Sequence, residues 1–316
     1  MKSCPEPHCF APAATCALGE ATLQDCPRWK SGRGNPDQED PHVHVADTLP
    51  LPWSGNSFGR VDVPFVAARS KPKVIAIAGA HNAGKTTLLT AWYLIAGRGY
   101  SPKGGCFAGS YTLEGWENLA HSLRWTEVSG PIFPMHTHTG GRFPGLLHWA
   151  LRTKCDRLLD LLLPDAPGEW FRRWAIDRDA EDAAGARWLA EYADVFIVLA
   201  DCDALSSPLR GAARNSLELL LDRVGAECGN RPVALVWSKA DKQVPSEIRE
   251  AVLRAARRSI PDISEFDVSV YPEGDLENTR KHYLNVFSWA IEQAGPFLGV
   301  ETKGAAEIDP FLVYGR

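Results

Sequence analysis

The run Gly79-Ala80-His81-Asn82-Ala83-Gly84-Lys85-Thr86 constrains this chain more than any other segment. It follows the apolar stretch Lys73 to Ala78 and opens the segment Lys85 to Ala96, where Leu88, Leu89, Trp92 and Ile95 recur on one helical face. A strand, a glycine-bounded loop and a helix in that order gather backbone N–H groups and a helix N-terminus around one point, a cradle for phosphate oxygens. Gly97 and Gly99 close the helix. Gly79, Asn82, Ala83, Gly84, Thr86 and Thr87 are expected to surround the phosphates. Lys85 would neutralise the β- and γ-groups, and the Thr86 hydroxyl would ligate Mg²⁺.

From Lys73 onward, apolar runs of strand length alternate with amphipathic segments, the pattern of an α/β fold whose mostly parallel sheet is covered by helices in three layers. Further strands are predicted at Leu146 to Arg152, Arg157 to Leu163, Val195 to Ala200, Val233 to Trp237 and Phe266 to Val270. Helices are predicted at Ser207 to Val224, Glu247 to Arg258 and Asn278 to Ala294. Thr153 to Asp156 is too short for a crossover helix, so the strands on either side form an antiparallel hairpin. Gly99 to Phe143 reads as a long irregular insert. The expected domains are a Cys-rich appendage over 1–60, the main domain over 61–297 and a tail over 298–316.

Composition excludes several classes. With 316 residues, 45% of them hydrophobic, the chain fills a sizeable core. A net charge of −5 with both signs interspersed gives no basic field for generic nucleic-acid binding. No apolar run approaches the roughly 20 residues of a membrane span. The start, with Pro5, Glu6, Pro7 and His8, lacks the apolar core of a secretory signal, so the expected location is cytoplasmic. Cys4, Cys9, Cys16 and Cys26 crowd one end as C-x4-C-x6-C-x9-C, four soft ligands suited to a closed structural Zn²⁺ site, with His8 a substitute ligand.

Two more motifs sit at strand ends. Asp165-Ala166-Pro167-Gly168 follows the hairpin, where Asp165 can hold Mg²⁺ through water and the Gly168 amide can approach a γ-phosphate. Ser238-Lys239-Ala240-Asp241 follows Val233 to Trp237. A buried Asp241 carboxylate can accept both the N1 proton and the exocyclic amine of guanine, a donor pair that adenine lacks. Lys239 would lay its stem over the base.

This order of motifs resembles the TRAFAC-clade P-loop GTPases over about residues 73 to 295, with Ser238 in place of the usual Asn or Thr. The N-terminal cysteines, Leu51-Pro52-Trp53-Ser54-Gly55 and Phe107-Ala108-Gly109-Ser110-Tyr111-Thr112-Leu113 are similar to the bacterial double-GTPase type, whose members are linked to conflict and defence systems.

The resemblance implies a small residue, here Ser269, whose backbone touches the guanine carbonyl. It also implies a switch threonine before the hairpin, with Thr137 first and Thr139 second. His136 and His138 can be read as metal ligands, but a solvated mobile loop is the preferred reading. Glu169 stands where many relatives carry a water-orienting Gln, and its charge would repel a γ-phosphate unless a cation intervenes. His81 occupies a position that is often Gly. Asn82 matches an Asn that helps hold K⁺ in some relatives and is equally a turn residue.

The expected activity is therefore a GTP-driven switch read by a protein effector. Lys85, Thr137, Gly168 and Glu169 would carry catalysis, and unassisted turnover would be on the order of 10⁻⁴ to 10⁻² per second. A nucleotide-gated scaffold that hardly cleaves GTP and an ATP-using enzyme are the alternatives.

Overall fold

The computed structural model describes residue 26 and residues 55–67, 70–124, 143–270 and 276–295. Its backbone clusters into two units, Met1–Leu51 and Pro52–Arg316. In the first, Cys26 is described and is buried.

The second unit is built on a seven-stranded sheet of order β2-β3-β4-β1-β5-β6-β7. The strands are β1 Lys73–Gly79, β2 Cys106–Gly109, β3 Gly145–Arg152, β4 Leu158–Asp165, β5 Val195–Asp201, β6 Val233–Ser238 and β7 Ser264–Val268. Strand β3 is antiparallel to both of its neighbours, and β4, β1, β5, β6 and β7 pair in parallel. The expected three-layer fold with a single reversed hairpin strand is what forms.

Both sheet faces are buried because alternate residues of the central strands feed different cores. On β1, Val74, Ala76 and Ala78 join one cluster while Ile75 and Ile77 join the other. Helices α4 Gly168–Ile176, α5 Ala184–Tyr192, α7 Arg210–Cys228 and α8 Ser246–Ser259 contribute to the first core, as do the short α1 Val63–Ala67 and α6 Cys202–Ser206. Helices α2 Lys85–Gly97, α3 Leu113–Leu123 and α9 Leu276–Gln293 cover the opposite face. There Trp92 stacks on Phe287 at 4.4 Å between centroids, and Trp149 meets Phe287 edge-on at 5.0 Å.

The stretch predicted as irregular between Gly99 and Phe143 contains β2 and α3. β2 has no strong local signal, being a four-residue edge strand that exists through pairing with β3. By contrast, Trp116, Leu119, Ala120 and Leu123 of α3 recur at helical spacing, a period that the irregular reading overlooks. Likewise β7 begins at Ser264 and ends at Val268, so Ser269 and Val270 lie beyond the strand. Phe58, read as part of the appendage, exchanges backbone hydrogen bonds with Leu146 of β3 at 2.9 and 3.0 Å.

A buried polar network ties β2 and α3 to the hairpin. The amide of Tyr111 donates to Nδ1 of His148 at 3.0 Å, so Nε2 carries the ring proton and donates to Asp160 Oδ1 at 2.9 Å. Ser110 Oγ and Trp116 Nε1 both donate to the His148 carbonyl, and the Thr112 hydroxyl accepts from the His148 amide. His148 is 1% exposed and Asp160 not at all. Substituting His148→Ala leaves this buried carboxylate without its ring partner. Urea unfolding is expected to show a loss of about 3 kcal/mol, and an unchanged midpoint would contradict that role.

Candidate nucleotide-binding site

The motifs converge because parallel strands deliver their C-terminal ends to one edge, and β1 lies where the chain order reverses, between β4 and β5. A cavity of about 590 Å³ opens there, within the range of small-ligand sites. His81, Lys85, Thr86, Thr87 and Glu169 line one end, and Lys239, Asp241, Val268, Val270 and Tyr283 line the other.

The loop after β1 turns through two left-handed residues, Asn82 at φ 60° and Gly84 at φ 90°. Asn tolerates that conformation and Gly adopts it freely, so Asn82 has a turn role independent of any ion. Lys85, 8% exposed, folds back over the loop and donates to the carbonyls of Ala80 at 2.8 Å and Gly79 at 3.3 Å. Burial lowers its pKa to about 8, against the opposing pull of Asp165 and Glu169. An ammonium so poorly solvated is prepared for an anion that replaces its carbonyl partners.

Asp165 ends β4 and its Oδ1 accepts from the Thr86 hydroxyl at 2.9 Å. The pair places two hard oxygen donors on adjacent elements beside the phosphate end, which fits Mg²⁺. Gly168, the first residue of α4, lies against the loop backbone: a Cβ there would sit 2.4 Å from the His81 amide nitrogen and 2.6 Å from the Ala80 carbonyl carbon. No side chain fits that gap. Next to it, Glu169 Oε1 meets His81 Nδ1 at 2.7 Å.

At the other end, Ser238 is buried and its hydroxyl donates to the Ala200 carbonyl at 3.3 Å, which anchors the loop. Lys239 is left-handed at φ 53°, and its Nζ donates to Asp201 Oδ2 at 2.8 Å. Asp241 Oδ1 accepts from the Ser269 hydroxyl at 2.6 Å, and Lys242 Nζ lies 3.9 Å from Oδ2. Ser269 therefore braces the carboxylate through its side chain, a role distinct from the backbone contact expected of it.

Residues that sequence reading missed include Asp201, which holds Lys239 and caps α6 through Oδ1, and Tyr283 of α9. Asp201 sits at the end of a legible strand, so strand-end position was an available signal. Tyr283 had none. Burial, and secondarily the Asp241 charge, push its phenol well above the usual tyrosine range, so it stays a neutral wall of the cavity.

Thr137, Thr139, His136 and His138 lie outside the described residues, as do Cys4, Cys9 and Cys16. Among the described residues, no group of three or more His, Cys, Asp or Glu side chains is placed to hold a metal ion. No helix among them is long and apolar enough to cross a membrane.

Fold and cradle together define a P-loop nucleotide-binding α/β protein. A family model described as Double-GTPase 2 matches residues 73–289, more than half of the chain, and the chain belongs to that family. GTP is thereby its nucleotide. A search of curated proteins returns no match.

The Lys85 environment makes binding pH-dependent. Its charged form binds phosphate; that form predominates below pH 8 in the nucleotide-free protein and is lost above it. Calorimetry is expected to show GTP affinity steady toward neutrality and falling by up to about tenfold per unit above pH 8, with proton uptake on binding. A flat profile would contradict the assignment.

Proposed function

We propose that this chain is a guanine-nucleotide switch with slow intrinsic GTP hydrolysis. The observation that carries the reading is one cavity with a buried ammonium and a glycine-bounded loop at one end and a carboxylate braced by Ser269 at the other. Asp241 reads guanine N1–H and the exocyclic amine, and the Lys239 stem, fixed by Asp201, covers the base. Thr86 and Asp165 hold Mg²⁺, which supplies charge compensation for the β- and γ-phosphates.

The switch follows from the Gly168 contact. Because α4 begins in van der Waals contact with the phosphate loop, a group entering beside His81 is felt at once by that helix. Thr137, or Thr139 in its place, is the γ-phosphate sensor in this proposal, and a protein effector reads the ordered segments. A role in a bacterial conflict system, a cytoplasmic location and a zinc site on Cys4, Cys9, Cys16 and Cys26 complete it. Metal analysis of the purified protein tests the last.

A second reading, a scaffold that binds GTP and hardly cleaves it, is favoured by one observation: a carboxylate, Glu169, stands at the phosphate end. Single-turnover phosphate release with and without K⁺ separates the two, and the absence of release under every condition favours the scaffold.

Base recognition has its own test. Asp241→Asn leaves one acceptor, now uncharged, and turns the other into a donor. It is expected to weaken GTP about 100-fold while improving xanthosine triphosphate, as read by competition against a fluorescent nucleotide. An unchanged preference, or equal binding of GTP and ATP by the unaltered protein, sinks the guanine assignment.

A further inference from the structure

Glu169 presents an electrostatic problem that the structure itself addresses. A carboxylate at the phosphate end of the cavity repels the γ-phosphate, and water alone screens that repulsion incompletely in a partly enclosed site. His81 stands opposite it, Nδ1 to Oε1 at 2.7 Å. An ionised carboxylate can only accept, so Nδ1 carries the proton and donates.

The two side chains come from different elements, the phosphate loop and the first turn of α4, and the backbone juxtaposes them. Gly168 leaves no room for a Cβ between α4 and the His81 amide, so Glu169 starts from a point set by packing. With side chains 45% and 50% exposed, the pair is a poor staple, since exposed ion pairs contribute little to stability. Its place at the cavity mouth gives it a different use.

Three charged groups near Glu169 have partners of their own. Lys85 is turned onto the loop carbonyls, and Asp165 accepts from Thr86. On α4 itself, Arg173 pairs with Asp182 at 3.3 Å. Among the described residues, His81 is the basic side chain within ion-pair distance of Glu169.

We propose that His81 is a positioning residue for GTP hydrolysis: it holds the Glu169 carboxylate at the cavity mouth and offsets its charge, so that Glu169 accepts a hydrogen bond from the attacking water. The inference rests on the GTPase reading above. In the step it serves, the water oxygen bonds to the γ-phosphorus and the bond to the β–γ bridging oxygen breaks, its electron pair leaving with GDP. The water proton passes by way of Glu169 to the solvent, so that GTP and water become GDP, phosphate and a proton.

The experiment is a double-mutant cycle on the full chain, reading single-turnover phosphate release and, separately, fluorescent-GTP affinity for the unaltered protein, His81→Ala, His81→Lys, Glu169→Gln and His81→Ala with Glu169→Gln. His81→Ala is expected to slow release on the order of 10- to 100-fold while affinity stays within about threefold. His81→Lys, which puts a permanent cation opposite Glu169, is expected to recover part of the rate lost in His81→Ala. In the Glu169→Gln background, removing His81 is expected to change the rate by less than about twofold, because the charge it offsets is gone and a neutral amide needs no such partner to accept from water.

The proposal is overturned if His81→Ala releases phosphate at the unaltered rate, if its effect is the same in both backgrounds, or if lost affinity accounts for the whole effect. Release of no phosphate by the unaltered protein despite tight GTP binding overturns the hydrolytic reading and this proposal together. Failure to bind GTP overturns the nucleotide assignment itself.

Discussion

The contact between the phosphate loop and the start of α4 is the constraint from which the site is built. With 2.4 Å between a hypothetical Gly168 Cβ and the His81 amide, the two backbones are as close as they can be, and glycine is what lets them meet. That closeness delivers Asp165 to Thr86, sets Glu169 opposite His81 and leaves the cavity mouth between them. A side chain at this one position would push the start of α4 away from the loop after β1.

Burial underlies the second constraint. The sheet is covered on both faces, so polar function is confined to its edge, where strand ends meet helix starts. Lys85 shows how finely the interior of that edge is balanced. Its ammonium is nine-tenths out of water, its pKa lies near 8, and loop carbonyls hold it until an anion arrives. The site is thus slightly strained in charge before binding, a state in which a triphosphate is stabilising.

Much of the fold was legible because it is encoded locally. The central strands β1, β5 and β6 are short, continuous apolar runs buried on both faces, and the 3.6-residue period is strong at α8. The reversed hairpin followed from a connection too short to cross over. Helix α3 carries a local signal, Trp116, Leu119, Ala120 and Leu123 at helical spacing, that the irregular reading of its segment overlooks. Strand β2 was not legible, because a four-residue edge strand depends on a partner some forty residues away in the chain. Tyr283 was missed for the same reason, since nothing in its own segment marks it as a wall of a cavity that other elements form.

The sequence by itself determined the chemistry of the site: a glycine-bounded loop with Lys85 and Thr86, a carboxylate and a glycine after a hairpin, and Asp241 after a strand. Each is a short motif whose residues act from consecutive backbone positions. Only the tertiary structure decided how those motifs serve one another. That Ser269 braces Asp241, that Asp201 holds Lys239 and that His81 faces Glu169 are contacts across 28, 38 and 88 residues of chain. Such contacts depend on how helices pack on a sheet, and packing is a property of the whole core, which no local stretch of residues encodes.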